Sequence, residues 1–352
     1  MKTEVVKIRE DDVQTPEGRR LLERAGEVIK AGGLVAFPTE TVYGLGGNAF
    51  DPAASARIYA AKGRPSDNPL IVHIADLDDL TGVASEVPDE AYALAERFWP
   101  GPLTIIMKKK PELPAETTGG LDTVAVRFPS HRTAQGLIKA GGGFIAAPSA
   151  NLSGRPSPTA AEHCVEDLDG RVDMIIDGGR VGIGVESSII DISGGTPDLL
   201  RPGYVTASML ARVLGKKVEK CFGVEKADDR PRAPGMKYRH YAPRGEMVMV
   251  RGDSADVIGY INAEASGASG KGIRTAVIAS GKTAGFYTCA DRVYAAGDSP
   301  EEIAGNLFGI LRQLDADSME RIFTEAFDGG GELSEAVMNR LIKACGNNIV
   351  EV

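Results

Sequence analysis

Lys62-Gly63-Arg64-Pro65-Ser66-Asp67-Asn68-Pro69 packs two cations, an amide and two prolines into eight positions, and the apolar run Leu70-Ile71-Val72-His73-Ile74 follows at once. Each proline fixes its own φ and biases the residue before it, Arg64 or Asn68, towards extended backbone. Lys62, Arg64 and Asn68 are therefore expected on a stiffened loop that loses less freedom on gripping a ligand. The β-branched run reads as a buried strand with His73 at its end. Taken alone, the stretch could equally be an exposed turn with solvated charges. The rest of the chain supplies partners: Arg127 and Arg201 add positive charge, Thr41, Thr123, Ser149, Ser157 and Ser187 add hydroxyls, and Asn151 adds a second amide. There is no Ser-His-Asp set at persuasive spacing and no metal-ligand cluster. Four cations among many neutral donors suit a polyphosphate and a carboxylate together. Nucleotidyl or phosphoryl transfer needs chiefly positioning and charge neutralisation, which such a set supplies.

The elements that must position these residues read as follows. Thr15 caps a helix that has Pro16 at its first position, and Gly32-Gly33 stops it. Residues 34–38 form a strand that runs into Thr39-Glu40-Thr41-Val42-Tyr43-Gly44-Leu45-Gly46, a hydroxyl- and glycine-rich stretch that lets a ligand approach the backbone or is a plain turn. Asp51-Pro52 opens a second helix that ends at Lys62. Residues 88–97 read as a helix and 103–107 as a strand. Residues 123–129 alternate as a strand, with Arg127 near its carboxyl end. Residues 144–148 form a strand ending in Ser149-Ala150-Asn151. Ser157-Pro158 then starts a helix by the cap-then-proline rule, so Ser157 is a helix cap or, with the backbone N–H groups there, a phosphate holder. Residues 174–176 are a short strand, and the turn 182–188 leads into another. Arg201 follows one more strand, and Thr206 caps a helix closed by Gly215. Some strands are separated by turns only, which argues for a mixed, three-layer α/β sheet. Most candidate residues follow strands, where open α/β sheets bind ligands.

Residues 212–244 carry ten Lys or Arg against four Asp or Glu, a local balance of +6 in a chain of net charge −9. With Pro, Gly and no periodicity, 216–245 reads as a basic linker. Such a linker, interleaved with aromatics, binds RNA, lies over a bound polyphosphate or is simply solvated. From 246 a second α/β pattern begins, with strands at 247–250, 275–279, 293–295 and 321–324 and helices at 254–265, 300–314 and 332–344. Residues 266–272 lack P-loop spacing and read as a flexible turn. This is a smaller Rossmann-like domain without a catalytic cluster, in which Lys282, Arg292 and Asp328 read as surface charges. The domains expected are thus 1–215, the linker 216–245, and 246–352.

At 352 residues the chain is long enough for two cores, and its acidic total does not attract polyanions. The four scattered cysteines, without CxxC, read as reduced thiols of a cytoplasmic protein. The N-terminus is too polar for a signal peptide, and no apolar run reaches membrane length.

Lys62-Gly-Arg64 together with Ser149-Ala-Asn151 resembles the signature of the YrdC-like threonylcarbamoyl-AMP synthases. The runs 38–46, 68–73 and 201–203 are also similar to that family, and the resemblance is nearly continuous over about 15–215. The linker 235–243 and the second domain resemble those of the long, two-domain members. The resemblance implies a YrdC-like three-layer domain with a twisted mixed sheet, plus the Rossmann-like domain. It implies that L-threonine and bicarbonate form N-carboxy-threonine, whose carboxylate attacks the α-phosphate of ATP and releases pyrophosphate. The product would pass to a complex that modifies the adenosine beside the tRNA anticodon. By motif, Thr41, His73, Arg127, Ala147 and Ser187 would hold threonine, with Arg127 gripping its carboxylate as a fork. Arg64, Asn68, Thr123, Ser149, Ser157 and Arg201 would hold ATP. Lys62 and Asn151 complete the signature, and Lys62 and Arg64 are the catalytic candidates, Lys62 neutralising the carbamate or the α-phosphate. Tyr241, with His240, would close the linker over the nucleotide. Mg²⁺ would arrive with the phosphates and not in a protein cage.

Two other readings stand beside this one. An RNA-binding module would use the basic linker, would show steep salt dependence and would not turn over ATP. A sister enzyme would use another carbamate acceptor, which replacing threonine by serine would expose.

Overall fold

The computed structural model describes residues 2–222, 231–234, 240–329 and 331–352. Two compact units emerge: residues 1–153 with 157–237, and residues 154–156 with 238–352.

In the first unit the strands are β1 (Glu4–Lys7), β2 (Val35–Phe37), β3 (Gly44–Asn48), β4 (Ile71–His73), β5 (Leu103–Lys108), β6 (Thr123–Arg127), β7 (Ile145–Ala147), β8 (Met174–Asp177), β9 (Ser188–Asp191), β10 (Asp198–Arg201) and β11 (Glu219–Lys220). They form one sheet in the order β1-β8-β2-β3-β7-β4-β6-β5-β9-β10-β11. Parallel pairs, such as β4 with β6, alternate with antiparallel ones, such as β7 with β4. The sheet is mixed because tight turns and helical crossovers both occur in the connections. The helices are α1 (Pro16–Lys30), α2 (Pro52–Lys62), α3 (Leu80–Val83), α4 (Asp89–Phe98), α5 (Arg132–Ala140), α6 (Ala161–Leu168) and α7 (Ala207–Leu214).

Local chemistry sets many of the boundaries. The Thr15 hydroxyl accepts from Gly18 N–H, with Pro16 at the first position of α1. The Asp51 carboxylate caps α2, and Gly63 ends that helix in the left-handed region at φ 61°. β3 was not expected as a strand, because Gly44, Gly46 and Gly47 have low strand propensity. It exists because it pairs with β2 on one side and β7 on the other, and glycine at 46 leaves room for their side chains. A Cβ on Gly46 would lie 2.7 Å from Ile145 Cγ2 and 2.9 Å from Phe37 Cε1. β6 is buried throughout after Thr123 and does not alternate, since it is an interior strand. The helix expected at Ser157 begins instead at Ala161. β11 and the buried Ala233 place parts of the expected linker in the first unit, while residues 223–230 and 235–239 of it lie outside the described residues.

The second unit is a parallel sheet of β12 (Glu246–Arg251), β13 (Thr275–Ala279), β14 (Arg292–Ala295), β15 (Arg321–Glu325) and β16 (Ile349–Glu351), ordered β14-β13-β15-β12-β16. Its helices are α8 (Ser254–Ser269), α9 (Pro300–Ala316) and α10 (Glu332–Ala344). Strand–helix–strand alternation gives this doubly wound form. The expected turn at 266–272 is shorter than read, because α8 continues to Ser269. No helix among the described residues is long and apolar enough to cross a membrane.

Candidate active site

The site lies across one face of the first sheet. β4 and β6 are parallel, so His73 pairs with Arg127 in register. β7 is antiparallel to β4, so Ala147 lies opposite Ile71, on the same face two residues before His73. The candidates therefore do not all gather at carboxyl ends of strands, as a purely parallel sheet would arrange them. Alternating strand directions bring residues from both ends onto one face.

Arg127 is buried, and its Nη2 donates to Glu40 Oε1 at 2.7 Å. Glu40 Oε2 also accepts from Ser130 N–H. Arg127 Nε is buried and has no hydrogen-bond partner among the described residues. Thr41 lies beside this pair through Thr39: the two hydroxyls are 2.9 Å apart, and Thr39 Oγ1 is 3.5 Å from Arg127 Nη2. His73 Nδ1 is 3.1 Å from Ile71 O, and the ring stands edge-on to Phe37. Burial, and then the neighbouring Arg127 charge, lower its pKa to about 3, so the imidazole is neutral.

Thr104 faces Arg127 across the β5–β6 ladder, and its hydroxyl is 2.7 Å from Ser187 Oγ. Arg201 then grips Ser187 twice, donating from Nε to the carbonyl at 2.9 Å and from Nη2 to Oγ at 3.1 Å. A hydrogen-bonded path thus connects the neighbourhoods of the two cations. Arg201 Nη1 also donates to Pro234 O at 3.4 Å. Ala233 packs on Ile71, Ile106, Ala125, Ile189 and Leu200, so this piece of chain covers the same face. Arg232 is ion-paired with Asp191 and Asp198 at 3.1 and 3.0 Å.

Lys62 is the last residue of α2, where the helix is expected to end, and it is almost wholly buried and not part of an exposed loop. Its ammonium donates to Ser149 O, to Asn151 O at 2.5 Å and to Asn151 Oδ1 at 3.4 Å. Ser149 Oγ donates to Asn151 Oδ1 at 2.5 Å. The two halves of the signature are thus physically clasped. Arg64 Nη2 donates back to the carbonyls of Asn68 and Pro69 at 3.1 and 3.0 Å, which curls the loop. Asn68 is buried, and its Oδ1 has no hydrogen-bond partner among the described residues.

Ser157 is not a helix cap. Its hydroxyl donates to Glu186 Oε1 at 2.5 Å, with both side chains buried. Thr123 is at the opposite end of β6 from Arg127, four residues and roughly 13 Å along the same face. Tyr241 belongs to the second unit, where its ring centroid is 5.0 Å from that of Phe308. Among the described residues no three or more His, Cys, Asp or Glu side chains are placed to hold a metal ion.

The family model described as "Telomere recombination" (Sua5_yciO_yrdC) matches residues 27–203, and that described as "Threonylcarbamoyl-AMP synthase, C-terminal domain" matches 205–346. A threonylcarbamoyl-AMP synthase of Pyrococcus abyssi is 49% identical over 93% of this chain and 95% of its own length. This chain belongs to the threonylcarbamoyl-AMP synthase family. The Bacillus subtilis member is 44% identical over 94% of each chain. The crystal structure of P. abyssi Sua5 complexed with L-threonine shares 46% identity with this chain, covers 99% of it and 100% of its own, and superposes with a TM-score of 0.90.

This threonylcarbamoyl-AMP synthase family member also carries, around the candidate residues, buried side chains that their sequence positions do not announce. Glu40 and Glu186 are buried carboxylates, one on Arg127 and one on Ser157. Thr39 and Thr104 are the buried hydroxyls that connect Thr41 and Ser187 to their neighbours. The only local hint was adjacency, since Glu40 abuts Thr41 and Glu186 abuts Ser187.

Proposed function

We propose that this chain condenses L-threonine, bicarbonate and ATP into threonylcarbamoyl-AMP and pyrophosphate, in the cytoplasm, for transfer to the adenosine beside a tRNA anticodon by a separate complex. The observation that carries this reading is Arg127, a buried guanidinium held on one side by Glu40, with its Nε edge lacking a hydrogen-bond partner among the described residues. That edge is complementary to a substrate carboxylate. The Thr41 and Ser187 hydroxyls are assigned to threonine, beside the neutral His73 and the small Ala147. Ser149, Asn151, Ser157, Arg64, Asn68, Thr123 and Arg201 are assigned to ATP, with Tyr241 as the linker's contact.

In this mechanism, threonine nitrogen attacks the bicarbonate carbon and water leaves, giving the carbamate. A carbamate oxygen then attacks the α-phosphorus, and the bond to the β-phosphate bridging oxygen breaks. Arg64 and Arg201 offset phosphate charge, while Lys62 fixes the Ser149–Asn151 turn and adds positive potential. Mg²⁺ bound to the triphosphate would shield its charge.

The test is mass spectrometry of a reaction with ATP, Mg²⁺, threonine and bicarbonate. Threonylcarbamoyl-adenylate, with pyrophosphate release that needs both threonine and bicarbonate, is expected. ATP turnover indifferent to threonine would overturn the reading, and preference for serine would replace it with a sister activity. The RNA-binding reading is disfavoured because Arg232 of the basic segment is spent on Asp191 and Asp198.

A further inference from the structure

The second unit includes the tripeptide 154–156, which in sequence lies between Asn151 and Ser157. One stripe of α9, formed by Phe308, Arg312 and Asp315, organises that tripeptide and the chain at 241–244 together. Arg312 is buried, and its Nη2 donates to Pro156 O at 2.7 Å. Asp315 is 4.0 Å from Arg155 and accepts from Arg244 N–H at 2.7 Å. Gly154 O accepts from Ala242 N–H at 3.0 Å. Tyr241, in the left-handed region at φ 64°, packs on Phe308. A buried guanidinium must be hydrogen-bonded, and the charge-assisted bond that Arg312 gives to Pro156 O holds that carbonyl in place.

We propose that Arg312 is a positioning residue for the nucleotide half of the site, and that through it the second unit helps set ATP affinity. The peptide bond from Pro156 to Ser157, and the short run back to Asn151, transmit the anchor to two side chains assigned to ATP. The proposal rests on the ATP assignment above. Of the threonine half, His73 and Arg127 stand on β4 and β6, whereas the chain beside Thr41 meets the same run through Tyr43 N–H to Pro158 O and Ala150 N–H to Tyr43 O, so that half feels the anchor only at second hand.

The experiment compares the full-length protein with Arg312→Ala, Arg312→Lys and Arg155→Ala. Calorimetry reads a non-hydrolysable ATP analogue, and separately threonine without nucleotide. For Arg312→Ala the analogue should bind about tenfold more weakly, with KM for ATP rising in step, since small misplacements are costly. Threonine affinity should fall much less than that for the analogue, and lysine, which can still donate to Pro156 O, should restore part of the loss. Unchanged analogue binding in a folded Arg312→Ala, an equal loss of threonine affinity, or a lysine variant as weak as alanine would each overturn the proposal. If Arg312→Ala does not fold, Arg155→Ala must still weaken analogue binding measurably, and no effect there overturns it. A wild type that binds the analogue but makes no adenylate would sink the proposed reaction while leaving the role of Arg312 readable from binding.

Discussion

His73 and Arg127 stand directly opposite one another on the parallel β4–β6 ladder, a buried imidazole beside a buried guanidinium. Burial and that positive neighbour keep His73 neutral, with a pKa lowered to about 3. In the unfolded chain it titrates near the ordinary value of about 6.5. Between those two values the unfolded state binds more protons, so stability falls as pH falls through this window, by up to about 1.4 kcal/mol per pH unit. Urea unfolding at pH 7 and pH 5 should show the wild type losing about 2 kcal/mol more than His73→Gln. Parallel losses in the two proteins would contradict this.

The Glu40–Arg127 pair should behave as a unit. Removing either partner strands a buried charge, at a cost of about 3 kcal/mol. Glu40→Ala and Arg127→Ala should each destabilise to that extent, and the double variant little more than either. Denaturation of all four proteins gives the coupling energy, and simple addition of the two single losses would refute it.

Lys62→Met should abolish adenylate formation and also loosen the fold. It leaves the carbonyls of Ser149 and Asn151 without the ammonium that now serves them, at a cost of about 1–3 kcal/mol. Amide exchange at residues 150–152 should quicken. A variant with wild-type stability and exchange would rule out the clasp described for Lys62.

Gly46→Ala should cost roughly 1–3 kcal/mol, because the new methyl group meets Ile145 and Phe37 in a packed layer. Gly182 has open space at its Cβ position, so Gly182→Ala serves as the near-neutral control. Equal melting temperatures for the two variants would remove the packing explanation for the glycine-rich strand.

The sequence was most legible where structure is set locally. Thr15-Pro16 and Asp51-Pro52 carry their caps within a few residues, and the second unit repeats strand and helix in an order that periodicity reveals. β3 was hidden because its glycines have low strand propensity and because one of its two partners, β7 with Ile145, lies some hundred residues away in sequence. Ser157-Pro158 imitates a helix start, yet the Ser157 hydroxyl is taken by Glu186, 29 positions later. The end of the helix at Lys62 was readable, but its burial was not, since nothing nearby reveals that its ammonium reaches residues 149 and 151. In the candidate site the cations and hydroxyls were readable by type. The buried carboxylates that hold Arg127 and Ser157 were not, because a lone Glu looks like any other surface charge.

β1 has its partner in β8, with Glu4 aligned to Met174. During synthesis β1 must therefore wait for some 170 further residues before it can pair. At typical synthesis speeds of about 5–20 residues per second, β1 stays unpaired for roughly ten to thirty seconds. The β1 edge of the first sheet is thus closed only after β8 has been made, while β9, β10 and β11 extend the opposite edge later still.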